Sequence, residues 1–243
     1  PPRSTLILTL FPYTTLFRSA HDLGVPVTAH CRGDQATLDA VLAGVDIIWH
    51  ASFLGDRALE AIIEKKTAVG PVFTFLANLA EYGAKVGATA SVQSTFAGEL
   101  EHTGARLRQA YDAGVPLLCG SESGFSITPY GNWHAREMEV FVQHMGLTPL
   151  QAISCATYTN AHALQQFGQV GIIASGAQAD ILVLDGHPEK DVAVLGNKSS
   201  FRHLFKKGRA ITLAEVPERS LLRGERVEPW SAQLLKWDLI HRK

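Results

Sequence analysis

Two short apolar runs, residues 25–30 (VPVTAH) and 45–50 (VDIIWH), each end in a histidine. The stretch between them keeps helical spacing: Leu38, Val41, Leu42 and Val45 follow Asp34, an expected N-cap. A second helix is expected from Asp56, with Leu59, Ile62 and Ile63 on its inner face. Residues 67–75 read as a strand, with Pro71 marking its end or a bulge. Residues 76–98 are rich in Ala, Gly, Ser and Thr and read as a long loop, of the kind that closes over an active site. A helix over 99–113 follows, with Leu107, Ala110 and Tyr111 inward, then a fourth strand over 115–119. A helix over 132–145 carries Met138, Phe141, Val142 and Met145 at core spacing. Thr148-Pro149-Leu150-Gln151 has the N-cap, the proline and the glutamine of a helix start. From Phe167 the pattern changes to short strands at 180–184 and 201–205 punctuated by glycine, a small β-rich appendage.

One phrase recurs at the helix-to-strand junctions: Leu23-Gly24-Val25-Pro26, Ala43-Gly44-Val45-Asp46 and Ala113-Gly114-Val115-Pro116. Each is a helix-ending glycine feeding an apolar strand, and repeated junctions of this type indicate a parallel sheet or barrel. The 243 residues are 46% hydrophobic and 19% charged with a net charge of -1, which offers no basic surface for nucleic acid or an acidic membrane. No apolar run reaches the roughly 18–20 residues that span a bilayer. The three cysteines, Cys31, Cys119 and Cys155, are odd in number and widely spaced, which fits a reduced cytoplasmic setting better than a disulfide scaffold. Cys31 is expected to be a small buried hydrophobe.

Residues 1–19 (PPRSTLILTLFPYTTLFRS) follow neither period. Residues 11–19 correspond to one reading frame of a common short-read sequencing adaptor, and residues 1–5 to its upstream part, with a variable index between them. The expectation is that residues 1–19 are translated adaptor and that native sequence starts near Ala20. A secretory leader fits poorly, because Arg3, Tyr13 and Arg18 interrupt the apolar stretch and no Ala-x-Ala site follows.

His30 and His50 fall at the C-terminal ends of successive strands, where barrel enzymes build their sites. Neutral imidazole nitrogen suits zinc, and two such ligands from neighbouring strands can converge on one ion. Glu122 ends the fourth strand within Gly120-Ser121-Glu122-Ser123-Gly124, where a carboxylate could bind metal or act as general base; a helix N-terminal acid is the plainer explanation. Tyr130 and His134 lie just beyond in a polar, aromatic stretch, and substrate contact and capping explain them equally well. The other histidines lack comparable placement.

In the order Thr28-Ala29-His30, Gly44-Val45-Asp46…His50, the turn of residues 120–124, Leu147-Thr148-Pro149-Leu150-Gln151-Ala152-Ile153, and Gly171…Gly176…Ala179-Asp180-Ile181-Leu182-Val183-Leu184-Asp185-Gly186, the chain resembles the metal-dependent amidohydrolase superfamily, in its imidazolonepropionase-like and prolidase-like branch. The resemblance implies an α/β fold, a (β/α)8 TIM-type barrel holding one or two divalent metals, zinc by the donor chemistry. It makes His30 and His50 the fifth- and sixth-strand metal ligands. Glu122 stands where the family carries an aspartate on the eighth strand, as metal ligand and catalytic base, with Tyr130 and His134 toward the substrate. The family's first-strand His-x-His pair and fourth-strand lysine would lie upstream of Ala20. Residues 20–166 would then be the C-terminal half of the barrel, and 167–243 part of a β-sandwich appendage. The implied reaction is hydrolysis of an amide or peptide-like C–N bond in a small molecule by metal-activated water. The alternatives are a non-catalytic half-barrel, prone to homo-oligomerise through open strand edges at 25–30 and 115–119, and a lactonase or phosphotriesterase built on the same centre.

Overall fold

The computed structural model describes residues 15–125 and 127–213. Most of the adaptor-like stretch (1–14) and the last part of the appendage (214–243) lie outside the described residues. The chain divides into two compact units: one runs to Pro71 and takes in Glu101–Leu118, and the other comprises Val72–Leu100 and everything from Cys119 onward.

The first unit begins with helix α1 over residues 15–22, then alternates β1 (Thr28–Arg32), α2 (Asp34–Leu42), β2 (Ile47–Ser52), α3 (Asp56–Lys65) and β3 (Ala68–Gly70). The three strands form a parallel sheet in the order β1-β2-β3, as helix-linked strands must. The inner faces are the apolar positions of the sequence pattern: Leu38 and Val41 on α2, Leu59 and Ile62 on α3, Ile48 and Val69 on the sheet. Burying each contributes about 1.5–3 kcal/mol.

The strands differ in extent from the sequence pattern. β1 starts three residues later than expected, and β3 stops at Gly70, before Pro71, which has no N–H for a ladder. Gly70 itself is forced: a Cβ there would lie 2.3 Å from the ring of Trp49, its register partner. Because β3 is so short, the fourth strand expected at 115–119 is reduced to one parallel bridge between Val69 and Leu117. The Val69 N–H donates to Pro116 O and the Leu118 N–H to Val69 O. Asp34 does not cap α2. The N-cap is Gly33, and the Asp34 carboxylate instead accepts the Gly55 N–H at 2.7 Å, tying the next loop.

The second unit overturns the expected lid. Residues 76–98 are mostly helical: α4 (Thr74–Tyr82), a 3-10 turn (Gly83–Val86) and the start of α5 (Ala90–Asp112). The strand expected to reach Phe75 gives way to α4 for the same reason. Thr74, Phe75, Leu76, Ala77, Asn78 and Leu79 are all buried, right around the helix, and alanine, read as a loop residue, is the best helix former. α6 (Arg136–Met145) starts four residues later than expected, with Met138, Phe141 and Met145 in the core as the spacing requires.

α7 (Pro149–Ser154) has the full capping box: Thr148 Oγ1 accepts the Gln151 N–H, and Gln151 Oε1 accepts the Thr148 N–H at 2.8 Å. The helix continues through a π-helical turn (Cys155–Thr159) into α8 (Asn160–Ala163). β4 (Ile181–Leu184), β5 (Phe201–Lys206) and β6 (Arg209–Ile211) form the antiparallel sheet of the appendage. No helix among the described residues is long and apolar enough to cross a membrane.

Candidate functional site

The parallel register places His30 opposite Trp49 and Cys31 opposite His50. Opposed residues share a face of the sheet and successive residues alternate, so a regular ladder would put the two histidines on opposite faces. The ladder breaks at this point. Pairing resumes with Arg32 opposite Ser52, which leaves Ala51 as an extra residue. His50 and Ala51 both take positive φ, 72° and 51°. A bulge of this kind re-aims a side chain. It turns His50 onto His30, with ring centroids 4.6 Å apart and planes at 74°. Cys31 is buried, as its alternation implied.

Left-handed backbone at non-glycine residues costs about 1–3 kcal/mol each and collects at functional sites. His50 is also only 5% exposed. Burial, with His30 and Arg32 nearby, lowers its pKa to about 4, against a hydrogen bond that the ring donates to the Pro71 backbone carbonyl, which raises it. The imidazole is therefore uncharged at neutral pH, with a lone pair to give. Its Nδ1 is buried with no hydrogen-bond partner. An orphaned nitrogen of this kind is costly unless something ligates it. Two adjacent imidazoles, one of them neutral with an unspent nitrogen, fit a borderline-soft divalent ion. Among the described residues no group of three or more His, Cys, Asp or Glu side chains is gathered to hold a metal.

Glu122, Tyr130 and His134 belong to the second unit. Glu122 is exposed and also left-handed, φ 50°. Its carbonyl accepts Thr128 Oγ1–H at 2.9 Å and the Phe125 N–H at 3.1 Å, and the Gly124 N–H donates to Thr128 O at 2.7 Å. The Tyr130 ring lies across Gly124, where a Cβ would come within 2.4 Å of it, and Tyr130 is 76% exposed. His134 joins the turn directly. Its Nδ1 is 3.1 Å from Ser121 Oγ and 3.4 Å from Ser123 Oγ, and these hydroxyls are 2.8 Å apart. Its Nε2 accepts the Gly131 N–H at 3.3 Å, so in the neutral ring Nδ1 carries the proton and donates to a serine. Burial first, and Lys198 second, lower the His134 pKa and favour that neutral ring.

Three groups escaped the sequence reading. Ser121 and Ser123 were visible only as flanks of Glu122. Glu137 and Arg136 sit on the buried face of α6. The Glu137 carboxylate accepts the Phe73 N–H, the Thr74 N–H and Thr74 Oγ1–H at 2.7–2.8 Å, capping α4. Arg136 pairs with Glu139 at 2.7 Å and with Glu81 at 2.5 Å. The i, i+3 spacing of Arg136 and Glu139 was the available signal. The third, Asn160, holds the main chain of Cys119 from two sides.

The model of the amidohydrolase family matches residues 13–211. Ochratoxinase of Aspergillus niger is 26% identical over 209 residues, 84% of this chain and 39% of that protein. Imidazolonepropionase of Desulfotalea psychrophila is 33% identical over 70 residues, 29% of this chain and 17% of that protein. The solved structure of a putative prolidase from Bifidobacterium longum superposes with a TM-score of 0.70 at 26% identity, covering 85% of this chain and 51% of that one. Where most of the chain is matched, it spans about two fifths to half the length of these relatives. The likeness and the alternation of helices and strands give an α/β fold of the TIM-barrel type.

Proposed function

The chain belongs to the amidohydrolase family, in its imidazolonepropionase- and prolidase-like branch, and from that premise we propose that it is part of a hydrolase of amide or peptide-like C–N bonds in which His30 and His50 are metal ligands. The observation that carries this reading is the bulge at His50 and Ala51, which sacrifices backbone ease to set two imidazoles together and leaves a buried nitrogen unspent. The strain and the orphaned atom are both accounted for by a ligand that needs them.

When bound, a divalent metal, zinc by the donor set, supplies Lewis acidity toward a carbonyl oxygen and acidifies water. The chain's own residues would do the rest. His50, held neutral by burial, and His30 offer nitrogen donors. Glu122 is assigned the proton: it takes one from the attacking water and returns it to the leaving nitrogen. Tyr130, exposed beside the turn, and His134, fixed by Ser121 and Ser123, are assigned to substrate orientation. Residues 20–166 are read as the second half of the barrel and 167–243 as part of the appendage, with residues 1–19 as adaptor. Three free cysteines support a reduced cytoplasmic setting.

A second reading has one observation in its favour. Catalytic zinc takes three protein ligands, and among the described residues no third His, Cys, Asp or Glu joins a metal group. On that reading the chain is a non-catalytic half-barrel that binds metal poorly or not at all. The test is zinc affinity by chelator competition, with hydrolysis of N-acyl amino acids, a lactone and a phosphotriester measured on the same samples. Saturable zinc binding, weakened at least tenfold in both His30→Ala and His50→Ala, is expected. Amide hydrolysis by the zinc-loaded chain supports the first reading, and weak or absent zinc binding without turnover supports the second. Lactone or phosphotriester turnover alone moves the substrate assignment. Equal zinc binding by the chain and both variants would remove the pair as ligands.

A further inference from the structure

We propose that Asn160 is a positioning residue: its side-chain amide, delivered by the π-helical turn before it, clasps the main chain of Cys119 and so fixes the turn that carries Glu122. The role given to Glu122 rests on the function proposed above; the clasp itself does not.

Asn160 Oδ1 accepts the Cys119 N–H at 3.0 Å, and Asn160 Nδ2 donates to Cys119 O at 2.8 Å. Both polar groups of one residue's main chain are thereby taken up by one side chain, as a neighbouring strand would do. The same Nδ2 reaches Ala156 O at 3.3 Å, inside the π-helical turn. A regular helix turns about 100° per residue, from 3.6 residues per turn. One residue accommodated as a π-bulge therefore rotates everything after it by about that amount relative to the helix before it. Without the bulge at Cys155–Thr159, Asn160 would be aimed away from Cys119. Single-turn π-bulges are rare and occur often at functional sites.

The other end of the turn is held as firmly. Thr128 Oγ1–H and the Phe125 N–H both donate to the Glu122 carbonyl, and the Gly124 N–H returns a bond to Thr128 O. Glu122 lies three residues beyond Cys119 with φ 50°. A glutamate stays left-handed only where its surroundings over-determine it. The Cys119 clasp on one side and the Thr128 bonds on the other supply that constraint. Catalytic groups tolerate displacements of only about 0.5 Å, so a clasp three residues before the carboxylate bears on where it stands.

The test uses the whole chain with 13C-labelled glutamate and backbone 15N, comparing Asn160→Ala, Asn160→Asp and Thr148→Ala. Thr148→Ala is the control, since it loosens the same helix through its capping box and leaves the clasp alone. Asn160→Ala is expected to move the Glu122 carboxyl resonance and to speed amide exchange over residues 119–124 at least tenfold more than Thr148→Ala does. Asn160→Asp keeps the acceptor for the Cys119 N–H and loses the donor, so it should fall between. The proposal is overturned if the Glu122 signal and exchange stay at wild-type values in Asn160→Ala, or if Thr148→Ala changes them equally. Should Asn160→Ala fail to fold, Asn160→Asp against Thr148→Ala decides by the same criteria. If the clasp effects appear while Glu122→Gln leaves zinc binding and hydrolysis unchanged, the role given to Glu122 fails and the positioning role of Asn160 stands.

Discussion

A carboxylate without exposed surface is costly unless hydrogen bonds replace its water, and Glu137 keeps three donors in place of that water. Burial still dominates: it pushes the pKa from 4.5 up to about 7, while the bonds from Phe73 and Thr74 and the Arg136 charge pull it back. Between those two values the folded chain holds a proton that the unfolded chain has released. The stabilising contribution of this group is therefore fully present below about pH 4.5 and is lost as pH rises through about 7. Glu137→Gln removes the titration and turns an amide NH2 toward donors, at an expected loss of about 1–3 kcal/mol near pH 5. In urea denaturation the gap to wild type should narrow toward pH 8. A gap that stays constant from pH 5 to 8 contradicts the assignment. At this scale the sequence marked candidates for chemistry and hid how they meet. His30 and His50 stood out at two strand ends, yet their 4.6 Å approach depends on one extra residue in the ladder. Nothing in VDIIWHAS distinguishes a bulge from a regular strand end.

Among the elements, legibility followed the locality of the signal. The capping box at Thr148 and Gln151 is contained in four residues and formed as read. The strands and helices from β1 to α3 were legible because their periods are short and their cores apolar. Residues 76–98 were not. Ala, Gly, Ser and Thr lower hydrophobic contrast, so a helix whose small residues lie between a few buried apolar anchors such as Leu76 and Leu79 looks like a loop. The third and fourth strands were over-extended for the opposite reason: apolar runs persist past Pro71 and around Leu117, but only three residues of β3 and one bridge find ladder partners. Hydrogen exchange separates helix from lid. Amides of 77–82 and 94–100 should exchange at least a hundredfold more slowly than those of exposed turns, because each bonds within its helix. Uniformly fast exchange across 76–98 restores the lid.

For the molecule as a whole, the proposed metal is a matter of linkage. A ligand that binds only the folded chain stabilises it by about 2.7 kcal/mol when present at a hundred times its Kd. For a protein of this size each kcal/mol moves Tm by roughly 2–4 °C, so saturating zinc should raise Tm by roughly 5–10 °C. The two imidazoles lie within one compact unit, and their meeting is built from β1, β2 and the bulge between them. The response therefore does not require turnover and tests the centre apart from the reaction. His30→Ala and His50→Ala should each lose most of the zinc-dependent shift. Glu137→Gln lies in the other unit and should lower Tm with and without zinc by similar amounts, leaving the shift intact. Thermal scans of the chelator-treated chain and its variants, with and without zinc, measure this directly. A zinc shift that survives loss of both histidines would place the ion elsewhere and would leave the strain at His50 without a ligand to explain it.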